Sequence, residues 1–147
     1  MRARIDSIID GLLVICLATM ALIVSANVFC RFVLNFSLYW ADELAMIIFV
    51  WLTFLGAAVA VRENSHYVLN FLTEKLSGAS QKVMLFVQKS LMTLAIVILL
   101  IFSSVVTWQI QSWIMPATEM SRAFVYGACP VGCVFMLYYA FSKSPVK

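Results

Sequence analysis

The chain has 147 residues, of which 64% are hydrophobic and 12% charged, and its mean hydropathy is +1.00. A soluble domain of this size cannot bury so much apolar surface, which excludes soluble enzymes and leaves an integral membrane protein. Ten basic and seven acidic residues give a net charge of +3, too small and too scattered for a nucleic-acid partner.

Uncharged runs cover residues 11–29, 44–61, 90–118 and 123–142. About 20 helical residues cross roughly 30 Å of hydrocarbon, and the runs therefore predict an all-α membrane protein with four transmembrane helices. Allowing for turns at the ends, the spans cover about 8–30, 41–62, 82–114 and 122–142 of a single membrane domain, 1–147. The third run is longer than a span needs, so that helix is expected to tilt or protrude.

Arg2 and Arg4 precede the first run, and Val24-Ser25-Ala26 resembles a signal-peptide cleavage site. The length of the run, with Asp6 and Asp10 in and beside the basic segment, favours a retained helix. Cleavage would leave the C-terminal orientation unchanged, so charge distribution does not separate the two readings.

Asn27 and Arg31 lie i,i+4 at the end of the first helix. After them, Ser37-Leu38-Tyr39-Trp40-Ala41-Asp42-Glu43 offers a hydroxyl cap, two interfacial aromatics and two carboxylates in a first helical turn. Arg31 is expected to meet Asp42 or Glu43 across this hairpin, the alternative being a solvated interfacial cluster. Within the second span Gly56 and Ala60 form a small-xxx-small pair, and Ala128 and Gly132 repeat it in the fourth, so helices can approach closely at both. Pro130 removes a backbone donor and frees the carbonyl of Tyr126, which predicts a kink there. Such a break can build a substrate site in a transporter, but a lone proline is more often structural.

The connection after Arg62 holds the only histidine, His66, followed by Val68, Phe71, Leu72 and Leu76 at helical spacing, which predicts a short interfacial helix over about 66–76. One histidine is too few for a heme or metal centre, and no cofactor is implied. Cys16, Cys30, Cys129 and Cys133 form no CxxC pair and read as small packing residues. Eight basic residues (Arg2, Arg4, Arg62, Lys75, Lys82, Lys89, Lys143, Lys147) fall on the side of the termini and two (Arg31, Arg122) on the other, which places both termini in the cytoplasm.

No ionisable residue occupies the centre of any span, although such groups usually mark ion or proton pathways. A small four-helix multidrug exporter, the autonomous alternative, is expected to carry a carboxylate in its first helix, and residues 11–29 have none. What remains is a helical subunit that binds and supports another membrane protein.

The stretch from Asn27 to Phe32, then Trp40-Ala41-Asp42-Glu43-Leu44, then Phe49 to Ala58, and Val61-Arg62 with His66, resembles the DctQ-like small membrane subunit of TRAP (tripartite ATP-independent periplasmic) transporters. Pro116-Ala117 and Pro130-Val131-Gly132 resemble the later part of that pattern, while Asn70 and Ser121-Arg122 depart from it. The resemblance implies a bacterial or archaeal inner-membrane complex that imports organic acids, of C4-dicarboxylate or sialic acid type, on a sodium gradient. It further implies a large multi-span subunit that carries the substrate and sodium sites, and a soluble periplasmic protein that delivers the substrate by transient contact. The small subunit, surrounded elsewhere by membrane lipids, would widen the fixed scaffold against which the large subunit moves. Candidate structural or partner-contact residues are Asn27, Arg31, Trp40, Asp42, Glu43, Gly56, Ala60, Arg62, His66, Ala128, Pro130 and Gly132. Glu119 and Arg122 join Arg31, Asp42 and Glu43 as candidates to meet the binding protein.

Overall fold

The computed structural model describes residues 2–64 and 79–141. The interfacial helix expected over 66–76 and His66 lie outside the described residues. The elements in chain order are α1 (Arg2–Val33), α2 (Tyr39–Asn64), α3 (Ala79–Ile110), α4 (Ala123–Tyr126) and α5 (Ala128–Phe141). Among the described residues four segments are long and apolar enough to cross a membrane: Asp6–Val33, Tyr39–Glu63, Phe86–Ile110 and Ala123–Phe141, the last formed by α4 and α5 together.

Both α1 and α3 have 32 residues. At 1.5 Å per residue each is about 48 Å long, well beyond the roughly 30 Å hydrocarbon core, so both must tilt or protrude. The helices pack in the order α1, α2, α5, α3, with α4 wedged between α2 and α3. The outer pair therefore present long apolar flanks, with Leu22, Phe32, Phe86 and Phe102 among the most exposed side chains.

The covered stripe of α1 is Asp6, Ile9, Leu13, Cys16, Met20, Ile23, Asn27 and Cys30, alternating by three and four residues. That is the seam of a coiled coil, with a polar residue at or near each end. On α2 the buried positions Ala41, Ile47, Leu55 and Ala58 face inward, whereas Met46, Phe49, Thr53 and Ala60 line an exposed stripe.

Helix α3 stops at Ile110, short of the 114 expected from apolarity alone, because the following segment folds back on itself. The Arg122 amide donates to the Trp113 carbonyl at 2.8 Å and the Met115 amide to the Met120 carbonyl at 2.8 Å, and Ile114 and Ser121 form an isolated bridge. Glu119 takes a left-handed φ of 54° to close this turn, and Met115 is buried beneath it. The fourth span is interrupted at Gly127, between α4 and α5. Pro130 has no N–H to offer the Tyr126 carbonyl, so the helical ladder lapses where the sequence leads one to expect it.

Candidate functional site

Among the described residues the polar groups are arranged as two clusters at opposite ends of the bundle, with two small-residue faces between them. At the hairpin end, Asn27 on the seam of α1 reaches the loop and α2 together. Its Nδ2 donates to Asp42 Oδ1 at 2.8 Å, and its Oδ1 accepts from the Leu38 amide at 3.2 Å, satisfying a backbone donor where α2 begins. Glu43, one residue on, faces the loop before α4. Its carboxylate accepts from the Ala117 amide at 3.0 Å, the Thr118 amide at 2.8 Å and the Thr118 hydroxyl at 2.8 Å. A charged acceptor held by fixed backbone donors is a strong hydrogen-bond arrangement, and it fastens the 117–118 loop to the start of α2. Beside it an open cleft of about 620 Å³ is lined by Phe36, Ser37, Leu38, Tyr39, Trp40, Glu43, Pro116 and Ala117.

At the end of the termini, Arg62 closes α2 against α1 and α5. Its Nη2 donates to both Asp10 oxygens, at 2.9 and 3.2 Å, and to Glu63 at 3.2 Å, while Asp6 lies 3.7 Å from Nη1. The Tyr139 hydroxyl donates to Asp6 at 2.9 Å, and the guanidinium lies 5.9 Å from the Tyr139 ring centroid. Beneath this cluster Ile9, Ala58 and Tyr139 form a buried core. The contact of Asp6 with Tyr139 sets the start of α1 beside the end of α5.

The two small-residue faces differ. A Cβ built on Gly132 would come 2.7 Å from the Phe54 Cβ and 3.1 Å from the Phe54 carbonyl oxygen, so α5 lies against the backbone of α2 there. Ala128, one turn earlier, is fully buried. A Cβ at Gly56 meets nothing within 4 Å, and Ala60 is exposed. The indole of Trp51 adds a further tie between α2 and α4, donating to the Phe124 carbonyl at 2.9 Å.

Four membrane-length segments, polar locks confined to their ends and apolar outer flanks describe a membrane component with no reaction centre of its own in view. A family model described as the DctQ component of tripartite ATP-independent periplasmic transporters matches residues 20–144. The chain belongs to this family. It is a TRAP small permease subunit, a transporter component and not an enzyme. It is 33% identical to a TRAP transporter small permease protein of Haemophilus influenzae, over 63% of this chain and 59% of that one. Against a sialic acid TRAP transporter permease protein from another strain of that species it is 30% identical, over 79% of this chain and only 19% of the relative. A sialic acid TRAP transporter small permease protein of Vibrio cholerae is 24% identical over 97% of this chain and 83% of its own length. The chain thus spans less than two thirds of each of the first two relatives.

Of the residues singled out in this small permease subunit from sequence, the structure joins Asn27 with Asp42 and places Trp40 and Glu43 on one cleft. The expected pairing of Arg31 with Asp42 or Glu43 is not formed among the described residues. Asp42 is taken by the Asn27 amide and Glu43 is turned toward residues 117–118, because the seam of α1 directs Asn27, not Arg31, at α2. Of the two small-residue faces, each a candidate contact within the chain or with a partner, Ala128 and Gly132 are packed with Pro130 bordering them, whereas a Cβ at Gly56 meets nothing within 4 Å and Ala60 is exposed.

Thr118, Trp51, Phe54, Asp6, Asp10 and Tyr139 were not picked out as partners. For Asp6 and Asp10 a signal existed: they are four apart on one helix end, and Arg62 is the cation that ends α2 on the same side. For Thr118 and Phe54 there was none, since Thr118 acts through an amide and a hydroxyl distant in sequence from Glu43, and Phe54 through a helix surface.

Proposed function

We propose that this small permease subunit serves as fixed scaffold for a large multi-span TRAP subunit, in a sodium-driven complex of the inner membrane that imports organic acids. A sialic acid substrate is favoured by the names of two relatives, and C4-dicarboxylates are the other substrate class of this reading. The observation that carries the proposal is the division of α2 into two faces. One is committed to α1, α4 and α5, and on the other Met46, Phe49, Thr53 and Ala60 are exposed and a Cβ at Gly56 would meet nothing within 4 Å. A helix with a packed back and an open small-residue front is built to receive a further helix, since close backbone approach drives association in lipid. The absence of charge from the span centres favours substrate and sodium sites on the partner.

In this reading both termini are cytoplasmic, and the hairpin end with Glu43 and residues 115–122 faces the periplasm, where the soluble binding protein docks transiently. The test is reconstitution with a sodium gradient. The small subunit alone should accumulate no substrate. The large subunit and binding protein should take up substrate only when the small subunit is present. Concentrative uptake by the isolated chain would establish the autonomous-transporter reading instead. Orientation is read separately, in a background with the native cysteines replaced: an impermeant thiol reagent on spheroplasts should label Ala117→Cys and spare Ser77→Cys.

A further inference from the structure

We propose that Arg122 and Trp113 form a binding site for the phosphate of an anionic phospholipid at the hairpin end of the bundle. The Arg122 guanidinium lies 5.8 Å from the Trp113 ring centroid, and the Arg122 amide donates to the Trp113 carbonyl at 2.8 Å, so backbone and side chain are fixed on each other. Trp113 itself is 59% exposed, and its chain neighbour Ile114, at 64%, and Trp108 near the end of α3, at 74%, are open as well.

Depth identifies what this surface meets. The membrane-length segments end at Ile110 and resume at Ala123, so Trp113 and Arg122 belong to the connection at the ends of two spans, the level at which indoles partition. Charge identifies the ligand. Among the described residues no carboxylate lies within 4 Å of Arg122. Glu43 acts on it only through space, its oxygens being held by Ala117 and Thr118. A guanidinium at headgroup depth, free of an ion pair and presented on an aromatic floor, is suited to bidentate contact with a phosphodiester. The exposed Trp108, Trp113 and Ile114 supply the surface along which the upper acyl chains would lie.

The test uses the intact subunit in phosphatidylcholine bilayers containing increasing fractions of dibrominated phosphatidylglycerol or dibrominated phosphatidylcholine. Trp113 emission is isolated as the difference between wild type and Trp113→Phe. Phosphatidylglycerol should quench it at about fivefold lower mole fraction, the enrichment that one basic side chain gives at an anionic surface. In Arg122→Gln the two curves should merge, and Arg122→Lys, which keeps the charge but not the planar fork, should fall between. Coincident wild-type curves, a phosphatidylglycerol preference that survives Arg122→Gln, or a Trp113 that neither lipid quenches would each overturn the proposal. The last outcome would mean that a protein partner covers this surface. Because the wild-type comparison decides the matter without Arg122→Gln, a folding defect in that variant does not protect the idea.

Discussion

The inner and outer faces of α2 carry similar residue types and meet opposite fates. Inward, Leu55 and Ala58 are buried, Phe54 presses on Gly132, and Arg62 is held by Asp6 and Asp10. Outward, Gly56 and Ala60 offer the same small-xxx-small spacing as Ala128 and Gly132, yet a Cβ at Gly56 meets nothing within 4 Å and Ala60 is exposed. In a bilayer, apolarity does not distinguish these faces, because lipid tails are as apolar as a neighbouring helix. What distinguishes them is fit: small residues matter where a backbone lies across them.

The sharpest way to break this contrast is Gly132→Leu. Even a single Cβ would sit 2.7 Å from the Phe54 Cβ and 3.1 Å from a backbone oxygen, and neither is the tip of a flexible side chain. Overpacking of this kind costs about 1–3 kcal/mol for modest intrusions, and a leucine against backbone should reach the upper end or exceed it. Denaturant unfolding of the isolated subunit in detergent should show the loss directly. A Gly132→Leu protein of wild-type stability would mean that α5 does not rest on α2.

How far all this was readable in advance varies by physical cause. Four spans follow from apolar length, and the lapse in the fourth from Pro130, because each rests on local chemistry that the sequence displays. The seam of α1 was not visible in hydropathy: nearly every residue from Gly11 to Phe29 is apolar, so the stripe through Ile9, Leu13, Cys16 and Met20 has no polar face to contrast with. Its polar markers, Asp6 and Asn27, were on the page, but their partners lie far off in sequence. The Glu43 contact was opaque for another reason. Its donors are mainly backbone amides of residues 117–118, in a connection whose fold-back apolarity does not specify.

A smaller effect should come from Arg62→Gln on the inner face. It removes the pairing to Asp10 and leaves Asp10, and Asp6 on the Tyr139 hydroxyl, without their cation. The arginine side chain is 15% exposed, but Asp10 is 50% exposed, and solvent screening should hold the cost to about 1–2 kcal/mol. Wild-type stability should fall with added salt, and that dependence should shrink in Arg62→Gln. An unchanged salt response would show that the cluster is held by packing on Ile9 and Ala58 instead of by charge.

Trp51→Phe is milder again. It keeps most of the ring in the cluster with Ile47, Met115 and Val125 while deleting the indole bond to the Phe124 carbonyl. Hydrogen bonds between helices in membranes average about 0.6 kcal/mol, because alternative partners are available in the less folded state. Unfolding should therefore shift only slightly. A loss as large as that of Gly132→Leu would make this bond, and not close packing, the principal tie between α2 and the α4–α5 span.

Gly56→Leu should have the smallest effect on the subunit itself, and it carries the contrast furthest. Nothing lies within 4 Å of a Cβ at this position, so the added side chain starts in open space, and stability should stay within about 0.5 kcal/mol of wild type. The same leucine occupies the middle of the stripe formed by Met46, Phe49, Thr53 and Ala60, where a helix of the large subunit would approach closely. Co-purification with that subunit should drop while the isolated protein unfolds normally. Leucine at exposed Leu22 or Phe102 positions cannot serve as the control, since those are already bulky; Ala95, exposed on α3, can, and Ala95→Leu should leave both measurements unchanged. Should Gly56→Leu co-purify at wild-type levels, the open stripe would face lipid, and the contact with the large subunit would move to the flank of α1 or α3, where exposed apolar side chains already form continuous surfaces.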